Sequence, residues 1–299
     1  VVWADSDDPS SFERALSPKT KAIFIESIAN PGGIVVDIPA ISAVAKKAGV
    51  PLIVDNTLPT PYLCQPKEFG ADIIVHSLTK FLGGHGNSVG GMLVDCGTFD
   101  WLSSGKYPAL STPNPSYNGM VFAETFGNFA FAITARVLGL RDLGPAISPM
   151  NSFLILTGIE TLPLRMARHS ENATAVAEWL QSRPEVASVN YAGLKNSKYA
   201  ELARKICPKG AGAVFTFSLR GGYEAGIKLV SNVRLFSHLA NIGDTRSLII
   251  HPASTTHRQL TAEQRRAAGA GDDVVRLSVG LEDKADIIDD LQQALEALG

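Results

Sequence analysis

The sequence predicts an α/β protein with a mostly parallel central sheet, followed by a smaller C-terminal α/β unit, and three observations carry that expectation. Short apolar runs alternate with helical periodicity through the first hundred residues, which is the rhythm of parallel strands joined by crossover helices. Asp55, Ser77, Thr79 and Lys80 fall at or just past the carboxyl ends of such runs, where ligands gather in open α/β sheets. A second set of apolar runs follows a long helical segment that starts near Leu162.

In chain order, Lys21 to Glu26 read as a short apolar strand, and Asn30-Pro31-Gly32-Gly33 then breaks regular structure. Pro39 stands near a helix start, Ile41, Val44, Ala45 and Ala48 repeat at helical spacing, and Gly49 offers a left-handed stop. Val50 to Val54 form an apolar run ending at Asp55, Ile73 to Val75 another ending at His76-Ser77, and Met92 to Val94 one more strand. The stretch from Phe99 to Tyr117 contains Pro, Ser and Gly with little periodicity, which predicts an irregular excursion near the site.

From Leu162 through Met166, Ala173, Val176 and Leu180 the helical period returns, with Pro163 in the early part. Ala213 to Leu219, Leu248 to Ile250 and Val274 to Val279 predict the smaller sheet, with helices over Ala225 to Leu235 and Asp286 to Leu298. In the last helix Ile287, Ile288, Leu291, Leu295 and Leu298 share one face. The expected organisation is a catalytic domain over residues 1–160 and a C-terminal domain over 161–299, divided near Glu160.

Composition narrows the functional classes. At 299 residues, 45% of them hydrophobic, the chain can bury a sizeable core. Its 27 basic against 29 acidic residues, a net charge of -2, make no electrostatic case for nucleic acid, so the expected ligand is small. Cys64, Cys96 and Cys207 form neither a disulfide framework nor a Cys-x-x-Cys spacing, which fits a reducing cytoplasm. No apolar stretch approaches the length of a membrane helix, and no membrane partner is expected. The sequence opens on Val1 with its first strand pattern at Ala22 to Ile25, so an incomplete N-terminal part is expected.

Ser77-Leu78-Thr79-Lys80 is the most informative tetrapeptide, because two hydroxyls and an amine arrive together at a strand end ahead of Gly83-Gly84-His85-Gly86. Hydroxyls can hold a phosphate while an amine forms a Schiff base. Alone, such a tetrapeptide is more often a surface turn with a solvated lysine. Asp55 ends the neighbouring strand and could pair with a protonated pyridine nitrogen, although a helix N-cap is the commoner use of an aspartate there. His251 and His257 stand six apart, but no Cys, Asp or Glu set completes a metal shell around them, and His85 reads as a packing or loop residue.

Five ordered blocks carry a family resemblance. Glu26-Ser27-Ile28-Ala29-Asn30-Pro31, Val54-Asp55-Asn56-Thr57, Ser77-Leu78-Thr79-Lys80 with its glycine tail, His251-Pro252-Ala253-Ser254-Thr255-Thr256-His257, and Val275-Arg276-Leu277-Ser278-Val279-Gly280-Leu281-Glu282 resemble the Cys/Met-metabolism enzymes that use pyridoxal 5'-phosphate. The resemblance implies the fold type I architecture of PLP-dependent transferases. It also implies Lys80 as the lysine that carries PLP, Asp55 as partner of the pyridine nitrogen, and Ser77 and Thr79 as phosphate ligands. Asn30 would lie beside the cofactor's phenolic oxygen, and Arg276 would fork onto the substrate α-carboxylate.

Leu239-Ala240-Asn241-Ile242-Gly243-Asp244, Phe126-Gly127-Asn128 and the excursion after Val94 are similar, within that family, to the O-acetylhomoserine sulfhydrylases. Related γ-lyases and γ-synthases usually carry serine where Asn241 stands, so Asn241 is expected to assist carboxylate binding or to shape the pocket. The resemblance implies γ-replacement on O-acetyl-L-homoserine with sulfide or a thiol, giving homocysteine or methionine plus acetate, in a homodimer or homotetramer. The alternatives are a cystathionine or methionine γ-lyase, a cystathionine γ-synthase, or a catalytically incomplete fragment. Family members carry, before the position of Val1, a glycine turn for the phosphate, a ring-stacking aromatic residue, and Tyr and Arg contributed across a dimer interface.

Overall fold

Two sheets organise the chain in the computed structural model, which describes residues 1–299. The first has the order β1 (Ile23–Glu26), β2 (Leu52–Asp55), β3 (Ile73–Ser77) and β4 (Gly91–Asp95). β1–β2 and β2–β3 are parallel, and β4 runs antiparallel to β3. The register sets Glu26 beside Asp55 and Asp55 beside Val75, so the carboxyl ends of three strands finish along one edge. β-branched side chains favour the pleated conformation here, and Ile23, Ile25, Leu52 and Val54 are buried.

The crossover from β1 to β2 is the Ile38–Ala48 helix. Asp37 accepts from Ala40 N at its start, Gly49 at φ +62° ends it in the left-handed region, and Ile38, Ile41 and Ala45 bury its inner face. A parallel pair needs such a crossover because a tight turn cannot return the chain in the same direction.

The second sheet has the order β5 (Val186–Asn190), β6 (Val214–Leu219), β9 (Val274–Ser278), β8 (Leu248–Ile250) and β7 (Ser237–His238). It is antiparallel except for the β7–β8 pair. The three predicted strands are its middle; β5 and β7 escape the sequence pattern because β5 is largely exposed and β7 is only two residues long. The helix at Pro9–Ala15, which has no fully buried residue and only Phe12 packed against the core, escapes the pattern as well.

Two helices, Pro149–Glu160 and Leu162–Gln181, follow each other with a break at Thr161. Pro163 sits in the first turn of the second, where its missing N–H is harmless. We propose this break as the boundary between residues 1–160 and 161–299. In the Lys284–Glu296 helix Ile287, Leu291 and Leu295 are buried and Ile288 flanks the core, while Leu298, just past the end of the helix, packs against the core as well. One continuous apolar cluster spans both sheets, so the two halves pack as a single body. No helix is long and apolar enough to cross a membrane.

Candidate active site

The site begins at the carboxyl end of β3. After Ser77 the chain enters a kinked turn, Leu78–Leu82, in the middle of which Lys80 departs from helical geometry at φ −91° and ψ −134°. Leu78, Phe81 and Leu82 are buried and anchor the turn, which leaves the Lys80 side chain half-buried and facing the second sheet. Its Nζ donates to Asn241 Oδ1 at 2.5 Å. Burial, and then the positive charge of Arg276, lower the Lys80 amine from its ordinary value.

Arg276 comes from β9, and only 7% of it is exposed. Its Nη1 donates to Asn30 Oδ1 at 3.2 Å and its Nη2 to the Asn241 carbonyl at 3.1 Å. These are neutral oxygens, so the guanidinium keeps donors for an anion, and burial pushes it down to about 10. Lys80, Asn241, Arg276 and Asn30 therefore form one hydrogen-bonded string that starts and finishes just past β3 and β1 of the first sheet and passes through Arg276 of the second.

Asp55, Ser77 and Thr79 arrive at the same strand ends but make no direct hydrogen bond to that string. Asp55 Oδ1 accepts from Thr57 N at 2.9 Å, a local turn rather than the cap of a long helix. Ser77 Oγ has no protein partner, whereas Thr79 Oγ1 is engaged with Gly90, accepting from its N at 3.1 Å and donating to its O at 3.3 Å.

Four further residues shape the site, all within the sequence blocks that carry the family resemblance but without a role assigned to them there. Thr57 Oγ1 accepts from Ser77 N at 2.8 Å, which locks the end of β2 to the end of β3. Ser27 Oγ donates to the buried Asn56 Oδ1 at 2.9 Å, which locks β1 to β2. Glu26 accepts from Asn30 N at 3.1 Å, and burial together with the neighbouring Asp55 raises its carboxyl. The strings Glu26-Ser27 and Asn56-Thr57 were visible, but such polar residues at strand ends say nothing of their partners until the strands pair.

His251 serves packing, fully buried between Ser254 Oγ at 3.0 Å and the Asp272 carbonyl at 2.8 Å, whereas His85 is an exposed loop residue whose Nδ1 meets the Gly83 carbonyl at 2.7 Å. No three His, Cys, Asp or Glu side chains converge as a metal-binding group. A cleft of about 910 Å³ lies elsewhere, between Ser42, Lys46, Lys67 and Asp100, and none of the Lys80 group lines it.

The donor set fits pyridoxal phosphate: an amine of lowered basicity, a carboxylate at a neighbouring strand end, a hydroxyl without a protein partner, and a buried guanidinium with free donors. The chain belongs to the Cys/Met metabolism PLP-dependent enzyme family, whose model matches residues 1–296. It is 52% identical to the O-acetyl-L-homoserine sulfhydrylase of Leptospira meyeri over 99% of this chain and 69% of that protein. It is 47% identical to the homocysteine synthase of Schizosaccharomyces pombe over 98% of this chain and 69% of that one. A crystal structure described as an O-acetylhomoserine (thiol)-lyase from Campylobacter jejuni superposes with a TM-score of 0.94 at 41% identity, covering 98% of this chain and 70% of its own. That structure contains N'-pyridoxyl-lysine-5'-monophosphate. The fold is accordingly that of the type I PLP-dependent enzymes.

Proposed function

We propose that this chain performs PLP-dependent γ-replacement on O-acetyl-L-homoserine, with sulfide or a small thiol as acceptor, giving homocysteine or methionine and acetate. The observation that carries the reading is the string linking the Lys80 amine, through Asn241, to the buried Arg276 guanidinium. It sets an amine that can move protons beside a cation that can hold a carboxylate, as an amino-acid substrate requires. The names of the Leptospira and Schizosaccharomyces relatives support the choice of reaction.

Arg276 binds the α-carboxylate of the substrate through the donors left free by Asn30 and Asn241. Asn241 Oδ1 orients the Lys80 amine, and its main-chain carbonyl orients Arg276. Lowered basicity leaves more of Lys80 Nζ neutral near neutral pH, able to accept the α-proton and then assist removal of a β-proton. Asp55 would face the pyridine nitrogen, Asn30 the phenolic oxygen, and Ser77 and Thr79 the phosphate; for Thr79 this means sharing its hydroxyl with Gly90. When bound, PLP supplies an electron sink for the pair left as the α-proton departs.

The reading includes assembly into homodimers or homotetramers, supported by the exposed Met150, Phe153, Leu156 and Leu164. It also includes a cytoplasmic setting, which the three free thiols favour.

The test is cofactor binding and product analysis. Adding PLP to the purified protein is expected to produce a visible absorbance band that Lys80→Ala removes. With O-acetylhomoserine and sulfide the expected product is homocysteine. Formation of 2-oxobutyrate alone would reject the sulfhydrylase in favour of a γ-lyase, and a band unchanged in Lys80→Ala would remove Lys80 from its role.

A further inference from the structure

Among the polar residues that the Leu162–Gln181 helix buries are Arg165, His169 and Asn172. Their spacing, four and then three residues, puts them on one helix face. Arg165 is the unusual one, since it is 5% exposed and the only influence shifting its guanidinium is burial, which lowers it. Instead of meeting a carboxylate it donates four hydrogen bonds. Nη1 reaches the Phe81 carbonyl at 2.7 Å, Nη2 the Leu82 carbonyl at 3.1 Å and the Gly158 carbonyl at 2.7 Å, and Nε the Thr161 hydroxyl at 3.1 Å.

Phe81 and Leu82 immediately follow Lys80 in a turn whose backbone is irregular. An irregular turn has carbonyls that no regular ladder satisfies, and a fixed fork of N–H donors suits two neighbouring carbonyls. The local sequence makes room for the fork, because a Cβ on Gly84 would collide with the guanidinium and one on Gly158 would collide with the Gly83 backbone.

The same helix face grips the other half of the site. His169 Nδ1 lies 2.7 Å from the Val279 carbonyl, while its ring meets Phe81 edge-on at 5.1 Å. Asn172 Nδ2 donates to the Gly280 carbonyl at 3.0 Å and to that of Glu282 at 2.9 Å. Residues 279–282 directly follow β9, the strand that carries Arg276.

We infer that Arg165 is a positioning residue for Lys80: it clamps the turn beyond the lysine, and the face it shares with His169 and Asn172 fixes the reach from Lys80 Nζ to Arg276. The inference rests on Lys80 as the cofactor-bearing lysine, and two measurements keep the two ideas apart. Borohydride trapping of the PLP-loaded wild type followed by peptide mapping tests the lysine, and an adduct located elsewhere sinks both.

With the adduct on Lys80, the pH dependence of Lys80 acetylation by acetic anhydride, read by mass spectrometry on the full chain without added PLP, tests the clamp. Arg165→Lys keeps the charge but reaches fewer carbonyls. A loosened turn moves the amine into solvent and away from Arg276, so its apparent pKa is expected to rise by about one unit, roughly tenfold less neutral amine at a given pH. Leu180→Ala, a core truncation elsewhere on the same helix, is expected to lower the melting temperature and leave that pKa in place. Should Arg165→Lys fail to fold, Arg165→Gln is measured instead, since Arg165 is not among the charges acting on Lys80. A wild-type Lys80 pKa in the variant that folds, or an equal rise in Leu180→Ala, overturns the inference.

Discussion

Lys80 and Arg276 are both cations by habit, yet the fold holds them near one another through Asn241 and lowers both. Burial disfavours the charged form of each, and their mutual repulsion adds to the effect on the lysine. Removing the guanidinium should therefore raise the Lys80 pKa. Arg276→Met is expected to move the acetylation profile of Lys80 to higher pH and to raise KM for O-acetylhomoserine at least about tenfold, since a charge-assisted hydrogen bond contributes roughly 1.5–3 kcal/mol. An unchanged KM would show that the carboxylate binds elsewhere.

At the scale of elements, the turn that carries Lys80 depends on a close neighbour from the second half of the chain. Gly243 has φ +75°, and a Cβ there would stand 2.6 Å from Phe81 N and 3.0 Å from the Lys80 carbonyl carbon. Gly243→Ala combines backbone strain with a collision against main chain, so it should destabilise by at least about 2 kcal/mol and lower the yield of PLP trapped on Lys80. Denaturant midpoints and peptide mapping would check this, and a fully stable, fully trapping variant would contradict it.

The Leu162–Gln181 helix adds a pH effect. Burial pushes His169 down to about 4 while the unfolded chain keeps an ordinary histidine. Above pH 6.5 neither state binds the proton; as pH falls from there toward 4 the unfolded state binds it first, so stability drops across that window. His169→Gln retains an N–H for the Val279 carbonyl and should reduce the stability lost between pH 7.5 and 4.5 by about 2 kcal/mol. Urea melts at the two pH values measure it.

For the whole molecule, Met150, Phe153 and Leu156 expose an apolar stripe along one helix, with Leu164 beyond the break at Thr161. Apolar patches of this kind mark interfaces. Sedimentation velocity should find dimers or larger species, and Phe153→Glu, Leu156→Glu should shift them toward monomer with the circular dichroism of the chain intact. A monomeric parent protein would rule out the assembly.

How much of this was legible beforehand follows from the range of each interaction. The strands and crossover helix of residues 21–95 could be read because their periodicity and caps are local, as the Asp37 start and Gly49 stop of one helix illustrate. Ordered motifs pointed to PLP, to Lys80 and to Arg276 through their resemblance to a family, which short strings of local sequence can carry. What sequence could not reveal is contact. That Asn241 joins Lys80 to Arg276, that Thr79 shares its hydroxyl with Gly90, and that Arg165 grips the turn after the lysine depend on residues 161, 11 and 84 positions apart being brought together. The order of residues alone determined which side chains can do chemistry; only packing of the two sheets around one core decided which of them meet, because hydrogen bonds depend on distance in space and carry no trace along the chain.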